Sequence, residues 1–262
     1  MILLPGTISD IPNPSGIHSI VSLVPSISWY LYDLGLDAEI AGVTRFCLSP
    51  SGLRNKAERI GGTKDPKIER IISLQPDLIL ANREENRKED IERLAQDHTV
   101  YLSEVKDLEG MYEMMQDIAI LTSKNEEGSI LVNQIQKRVE EFEKVVYGKT
   151  HPKVLYLIWK DPLMSIGKDT FIHHMLEQAG FQNAMAHHSR YPELRIEDLT
   201  ALDPDFIFLS SEPYPFKERH KSHFSPYKSI LVDGQMFSWY GSFILKSFDY
   251  LDALNKCLSK GI

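Results

Sequence analysis

The chain has 262 residues, which suits two α/β domains of about 100 to 130 residues each better than one. Lysine and arginine total 29 against 37 for aspartate and glutamate, and no basic cluster is dense enough to follow a phosphate backbone, so we expect no nucleic-acid partner. No stretch approaches the roughly 18 to 20 apolar residues that span a bilayer.

The first 17 residues contain three prolines, two glycines and no hydrophobic period. They predict an N-terminal arm or a small hairpin over residues 1–17. Four apolar residues precede the first proline and there is no basic region, so the segment does not predict a signal peptide. No cysteine lies near residue 20, so the sequence does not predict a lipid anchor. We therefore expect a cytoplasmic protein or one whose leader has been removed.

Short apolar runs alternate with amphipathic stretches over residues 18–122 and predict a first α/β lobe. The irregular stretch at residues 44–66 is too long for a plain connector and predicts a binding loop. The other predicted elements of this lobe are strands at 20–24, 40–43, 78–81 and 100–102 and helices at 25–33, 88–96 and 108–121.

Apolar residues recur at threes and fours from Lys124 to about Tyr147, with charged residues between them. This pattern predicts one helix of more than twenty residues, and we assign residues 123–149 to a linking helix that acts as a semi-rigid strut. Residues 150–262 form the predicted second α/β lobe. Its predicted elements are strands at 154–158 and 230–232 and helices at 171–179 and 242–258.

The strongest pattern is an internal repeat at a distance of 128 positions. Residues 68–84 read IERIISLQPDLILANRE and residues 196–212 read IEDLTALDPDFIFLSSE. Each copy predicts a short amphipathic helix closed by Leu-x-Pro-Asp, then a strand that is apolar on both faces, as in a parallel sheet covered by helices. Two copies predict two similar lobes whose strand ends face each other across a ligand cleft.

Aromatic and basic residues follow several predicted strands, at the positions where α/β sheets bind ligands. Flat rings suit the wall of a cleft, although each ring could instead fill a helix–sheet junction. Trp29 is assigned to the core, because it lies one turn into an apolar helix. The predicted ligand-binding residues are Phe46, Arg83, Trp159, Tyr191, Tyr214 and Trp239.

No motif for catalysis is present, and we predict no catalytic residue and no covalently bound cofactor. Nine histidines suggest a metal, but no pair has a matching Cys, Asp or Glu at ligand spacing, so no resident metal is predicted. His187 and His188 are the best of the metal candidates. We expect Cys47 and Cys257 to be free thiols, with Cys47 a small apolar filler or, in the alternative, a reactive thiol.

Several segments resemble the substrate-binding proteins of ABC importers for cobalamin, haem and ferric siderophores. They are IVSLVPSISWYLYDLGLDAEIAGVTRFC, the loop ending in GGT, the repeated I-E and P-D element, the long helix, and VLYLIWKDPLMSIGKDTFIHHMLEQAGFQNA. The resemblance covers about residues 18–257 and implies two lobes joined by one rigid helix, with the ligand between them. It also implies an acidic residue on each lobe that docks on the membrane permease, and Glu89 and Glu218 fit these positions. The family usually has Thr-Glu where this chain has Ser28-Trp29.

The leading hypothesis is a monomeric solute-binding protein that captures a metal chelate and delivers it to an ABC permease. By resemblance it works in the periplasm or cell envelope, although that family normally carries an export signal or lipobox. The first alternative is an enzyme that inserts a metal into a tetrapyrrole, with a histidine and a carboxylate in the cleft. The second is a ligand-sensing module without a role in transport.

Overall fold

The computed structural model describes residues 1–8, 16–47, 56–148 and 151–259. Part of the predicted N-terminal arm, residues 9–15, and part of the predicted long loop, residues 48–55, lie outside the described residues.

The chain divides into two compact units. The first comprises Met1–Gln136 together with Tyr240–Phe243, and the second comprises Lys137–Trp239 together with Ile244–Ile262. Each unit contains its own β-sheet with helices, which confirms the α/β class and the prediction of two similar halves. The domain boundaries drawn from the sequence stay a prediction.

The first unit contains a six-stranded sheet in the order β1-β6-β5-β2-β3-β4, and every strand pair in it is parallel. All positions of the central strand β5 are buried, as expected for a strand covered on both faces. The predicted arm contributes the edge strand β1 instead of a hairpin. The elements are strands β1 (Ile2–Leu3), β2 (Ile20–Ser22), β3 (Ile40–Val43), β4 (Glu58–Arg59), β5 (Leu78–Asn82) and β6 (Val100–Ser103), and helices α1 (Pro25–Asp33), α2 (Ile68–Ser73), α3 (Lys88–Leu94) and α4 (Leu108–Leu121).

Helix α5 (Asn125–Val146) follows, and its bounds lie within one residue of those predicted. Its buried apolar side chains are those of Val132, Ile135, Val139 and Phe142, spaced by three and four positions. That spacing places them on one helical face, which confirms the interpretation of the pattern as a single long helix.

The second unit contains a sheet in the order β11-β10-β7-β8, with β9 paired to the start of β7. All pairs are parallel except β7 with β8. The elements are strands β7 (Lys153–Trp159), β8 (Met164–Ser165), β9 (Gln182–Asn183), β10 (Phe206–Ser210) and β11 (Ser229–Val232), helices α6 (Phe171–Gln178), α7 (Leu199–Leu202), α8 (Gln235–Ser238) and α9 (Ile244–Ser259), and 3₁₀ helices at Ile196–Asp198 and Glu218–Phe224. A further 3₁₀ helix, Gly241–Phe243, belongs to the first unit.

The two copies of the repeat have the same topology. The repeat strand lies between two parallel neighbours in each sheet, β5 between β6 and β2, and β10 between β11 and β7. The variable residue of Leu-x-Pro-Asp adopts the left-handed conformation in both copies, with φ of 46° at Gln75 and 42° at Asp203. This turn reverses the chain between the short helix and the strand, and the two repeat strands lie in different sheets.

The aspartate of each Leu-x-Pro-Asp turn joins the repeat strand to the neighbouring strand. Asp77 Oδ2 accepts hydrogen bonds from the backbone N–H groups of His18 and Ser19, at 2.8 and 2.9 Å, just before β2. Asp205 Oδ2 accepts one from the N–H of Lys153, at 2.7 Å, at the start of β7. The carboxylate therefore fixes where the two central strands of each sheet begin.

Replacing either aspartate with alanine should lower the free energy of unfolding by about 1 kcal/mol, because an acceptor for a strand-start N–H is lost at a partly hydrated site. We expect the larger loss for Asp77→Ala, which removes the partner of two N–H groups. Urea denaturation measures both effects. The control is Asp97→Ala at an exposed position, and equal losses in all three variants would contradict the assignment.

Candidate functional site

The carboxyl ends of the strands in the first unit are joined by a buried asparagine. Asn86 Oδ1 accepts a hydrogen bond from the backbone N–H of Asn82 at 2.9 Å. Its Nδ2 donates to the carbonyl of Thr63 at 3.0 Å and to that of Leu23 at 3.4 Å. One side chain thus connects the loops that follow β2, β4 and β5. The sequence analysis missed this residue, since a polar residue four positions past a strand end has no distinctive pattern.

Asn82, the last residue of β5, supports the same edge. Its Oδ1 accepts from the N–H groups of Glu84 and Glu85 at 2.9 and 3.2 Å, and its Nδ2 donates to Ser103 Oγ at 3.2 Å. Ser210 holds the equivalent place in the second unit, where its Oγ donates to the carbonyl of Glu212 at 2.6 Å. Both strand ends are therefore closed by a polar side chain that binds the backbone of the next turn.

Phe46 and Arg83 both lie in the first unit, after β3 and β5 respectively. The Phe46 ring is 49 % exposed, and the Arg45 guanidinium lies 5.0 Å from its centroid. Arg83 forms an ion pair with Glu104 at 3.3 Å. It also lines a cavity of about 380 Å³ with Lys106 and other residues that follow β1 and β6. Arg83 is thus partly committed to a carboxylate of its own unit.

Three predicted aromatic residues follow strands of the second unit, and two of them are in contact. Trp159 ends β7, and its ring lies 5.7 Å from that of Tyr214 in an edge-on arrangement. Tyr214 in turn lies 4.8 Å from Phe216 and 5.6 Å from His220. Trp159 is 39 % exposed, so this aromatic cluster is partly open to solvent. We call Trp159, Tyr214, Phe216 and His220 the aromatic cluster.

Positive charges surround the His220 end of the aromatic cluster. Loss of hydration lowers the pKa of the His220 ring, and the charges of Arg219 and Lys160 lower it further. The neutral ring accepts a hydrogen bond at Nδ1 from the backbone N–H of Lys217, at 3.0 Å. His220 is therefore a neutral aromatic group set among cations at ordinary pH.

Trp239, the third aromatic residue, follows α8 and is half-buried. Its side chain is hydrogen-bonded to the carboxyl group of Glu212, which also accepts from Ser238 Oγ at 3.0 Å. Burial raises the pKa of Glu212, and these hydrogen bonds oppose that rise. The sequence analysis missed Glu212 as a functional candidate, although the repeat marks it as the counterpart of Glu84.

The Arg190 guanidinium lies 5.8 Å from the ring centroid of Tyr191. His187 and His188 precede it and are exposed. Over the described residues, no group of three or more His, Cys, Asp and Glu side chains is arranged to hold a metal ion. Burial raises the pKa of the Cys47 thiol, which favours the filler interpretation over that of a reactive thiolate.

Glu89 and Glu218, the predicted docking residues, are both exposed. Glu89 lies in the first turn of α3. Glu218 begins the 3₁₀ helix Glu218–Phe224 and forms an ion pair with Lys221 at 2.9 Å. Their role in docking stays a prediction.

Along the residues that the structure describes, no helix is both long enough and apolar enough to cross a membrane.

The fold and the polar and aromatic strand ends define an α/β ligand-binding protein built from two related units. The chain belongs to the periplasmic binding protein family, whose model matches residues 20–225. This family assignment confirms the resemblance drawn from the sequence.

Individual relatives are distant. The uncharacterized ABC transporter substrate-binding lipoprotein YvrC of Bacillus subtilis is 28 % identical over 196 residues, which cover 72 % of this chain and 62 % of that protein. A vitamin B12-binding protein of Vibrio campbellii is 24 % identical over 210 residues, which cover 79 % of this chain and 76 % of that protein. The crystal structure of a periplasmic haem-binding protein from Pseudomonas aeruginosa shares the fold with a TM-score of 0.81 at 18 % identity, over 90 % of this chain and 92 % of that one.

Replacing Asn86 with alanine should lower the free energy of unfolding by about 2 to 3 kcal/mol, because it leaves one buried N–H and two carbonyl groups without this partner. Asn86→Asp should lower the free energy of unfolding by at least as much, since its second oxygen would face the two carbonyl groups. Urea denaturation is the measurement, and Asn133→Ala on the exposed side of α5 is the control. A fully stable Asn86→Asp protein would show that the donated hydrogen bonds do not matter.

Proposed function

We propose that the chain is the solute-binding component of an ABC import system, which captures a metal chelate and delivers it to a membrane permease. The captured chelate is a cobalamin, a haem or a ferric siderophore. The family assignment supports the binding role, and relatives named as vitamin B12-binding and ABC transporter substrate-binding proteins support the ligand class and the transporter. The matched region covers 62 % of the Bacillus lipoprotein, so a transporter partner for this chain is itself part of the proposal.

The aromatic cluster is the observation that carries the proposal. Trp159 and Tyr214 place two rings in edge-on contact at the carboxyl ends of β7 and β10, where parallel α/β sheets bind ligands. Rings with few rotatable bonds give a large contact area at a small entropic cost. A planar or bulky chelate offers the apolar surface that such rings bind.

The charges beside the aromatic cluster favour a chelate that carries acidic groups. Lys160, Lys217 and Arg219 all act on His220, while the nearby Glu218 is paired with Lys221. Cations at the border of an apolar site attract and orient a ligand with carboxylate groups. Haem and carboxylate-bearing ferric siderophores have such groups. We infer that they bind more tightly than cobalamin.

We place the protein in the cell envelope, where its relatives named as periplasmic and lipoprotein components operate. We also infer that it is a binder and not an enzyme. An enzyme that inserts metal would have to hold a bare metal ion, and His187 and His188 are exposed residues without a third ligand group arranged around them in the described chain.

Absorption spectroscopy tests the proposal directly, because haem, corrinoids and ferric siderophores absorb at different wavelengths. The protein is titrated with haemin, cyanocobalamin and a ferric carboxylate siderophore, and tight binding of one of them is expected. In a second arm it is mixed with Fe(II) or Co(II) and a metal-free tetrapyrrole. Catalytic turnover that disappears in His187→Ala/His188→Ala would replace the transport proposal with the enzyme.

Truncation of Trp159, Tyr214 or Trp239 to alanine should weaken binding of the chelate by about 1 to 3 kcal/mol each. Thermal stability should change less, because these rings are partly exposed. Calorimetric titration gives the affinities and thermal unfolding gives the stabilities. The control is Tyr147→Ala, which should change neither quantity. Tyr147 lies in the second unit and is 90 % exposed. Variants that lose stability but keep their affinity would assign these rings to packing only.

Charge reversal of both Glu89 and Glu218 to lysine should abolish uptake and leave chelate affinity intact, because exposed charges steer and register a docking partner. Radiolabelled or ferric chelate uptake in cells that carry the permease is the measurement. The charge-matched control reverses Glu140 and Glu141, which are exposed on α5. Uptake that survives in the Glu89→Lys/Glu218→Lys protein would remove both residues from the permease interface.

A further inference from the structure

Glu212 places a partly buried carboxyl group at the carboxyl end of β10. Three side-chain donors meet it, and all belong to one short segment of the chain that follows β11. Ser238 Oγ donates to Glu212 Oε1 at 3.0 Å, and the side chains of Gln235 and Trp239 are hydrogen-bonded to the same carboxyl group. The indole N–H is the sole donor of a tryptophan side chain, so this bond fixes one edge of the Trp239 ring.

The backbone of this segment lies close enough to Glu212 to restrict its position. A Cβ atom added to Gly234 would lie 2.6 Å from Glu212 Cγ, a distance that real Cβ atoms essentially never show, and 3.1 Å from the Glu212 backbone nitrogen, which is tighter than most real contacts. The Gly234 N–H donates to Ser211 Oγ at 2.9 Å, which adds a second link to the loop after β10. Glycine at this position is what permits the two loops to meet.

This arrangement exceeds what folding alone requires. The Trp239 ring is only half-buried, yet its one polar atom is held by the partly buried carboxyl group of Glu212. A side chain fixed before the ligand arrives does not lose its rotational freedom on binding, and that saving appears as affinity. A freely rotating indole at the same place would bind less tightly.

We propose that Glu212 is a positioning residue, which holds the Trp239 indole and the α8 segment in the arrangement that binds the chelate. This inference rests on the proposed function. Glu212 itself need not touch the ligand, because it acts through Trp239.

The protonation state of Glu212 gives an independent signature. Burial raises the pKa of its carboxyl group, the Asp233 carboxylate also raises it, and the hydrogen bonds from Ser238, Gln235 and Trp239 lower it. Tyr156 on β7 is the other titratable group that faces it, and it stays neutral over the same range, because burial raises its pKa. As the pH falls through the raised pKa, the protonated group becomes a donor on one oxygen, and its hold on Trp239 weakens.

Tryptophan fluorescence tests the first half of the proposal without any ligand. The chain has three tryptophans, so Trp29→Phe/Trp159→Phe leaves Trp239 as the single emitter. In this background Glu212→Ala should shift the emission to longer wavelength and increase quenching by acrylamide. The emission should titrate with a midpoint above the ordinary glutamate value, and Glu212→Gln should abolish that titration. Glu143→Ala, at an exposed carboxylate on α5, is the control and should change nothing.

A double-mutant cycle tests the second half, with haemin and cyanocobalamin as probes. Glu212→Ala should weaken binding about tenfold in the native protein and by less than about threefold in Trp239→Phe, which keeps an aromatic ring but lacks the N–H. Glu212→Gln keeps an acceptor oxygen and should restore most of the affinity. Thermal unfolding of each variant separates these effects from loss of the fold.

The outcomes distinguish the two proposals. If none of haemin, cyanocobalamin and a ferric carboxylate siderophore binds the native protein, the proposed function fails, and the fluorescence of Trp239 alone decides whether Glu212 holds the ring. If the probes bind and Glu212→Ala lowers stability but leaves the emission of Trp239 and the affinity unchanged, Glu212 is structural only and the inference is overturned. Equal losses of affinity in the native and Trp239→Phe proteins would likewise overturn it, because the effect would not pass through Trp239.

Discussion

A carboxylate at the start of the repeat strand sets the register on which each sheet depends. Asp77 and Asp205 bind the first backbone N–H groups of the neighbouring strand, so the two central strands of a sheet begin together. Parallel strands that begin together also end at the same edge. The loops that carry Phe46, Arg83 and Tyr214 start from that edge, and their position follows from the aspartate at the opposite end of the sheet.

The duplicated backbone carries different chemistry at its two functional edges. Position 86 of the first unit is an asparagine turned into the protein, where it joins three loops, and its counterpart 128 positions later is Tyr214, which belongs to the aromatic cluster. Asn82 and Ser210 keep the same structural task in both copies. The two copies therefore share the geometry of the strand ends, while the residues beyond them are either internal ties, such as Asn86, or rings of the aromatic cluster, such as Tyr214.

The sequence predicted those parts of the fold that depend on local patterns. Helices α1 and α4 have the predicted bounds, because their capping and apolar spacing are local properties. Strands β8 and β9 are two residues long and α8 spans four, too short for any period to appear. The edge strand β1 also escaped prediction, since its place beside β6 depends on residues about a hundred positions away.

The candidate site was predictable only as a set of positions. The rule that ligands bind at strand ends selected Trp159, Tyr214 and Trp239, and the structure brings the first two into contact. The hydrogen bond between Glu212 and Trp239 joins the loops that follow two different strands. The sequence around Glu212 therefore contains no pattern that predicts this bond. Gly234, which permits the contact, has no local signature either, because the atoms that a Cβ would meet there belong to the distant residues Ser210 and Glu212.

Local sequence patterns specify the fold that the family shares, whereas the candidate site depends on contacts between residues distant in the chain. Strand register and the Leu-x-Pro-Asp turn are repeated, and repeated features are those that both copies need in order to fold. In the proposed function, ligand recognition uses residues in which the copies differ, such as Tyr214 in place of Asn86. Under the same proposals, the non-repeated residues Lys160 and Arg219 set the charge beside the rings, while Glu212, which the repeat shares with Glu84, sets the position of Trp239.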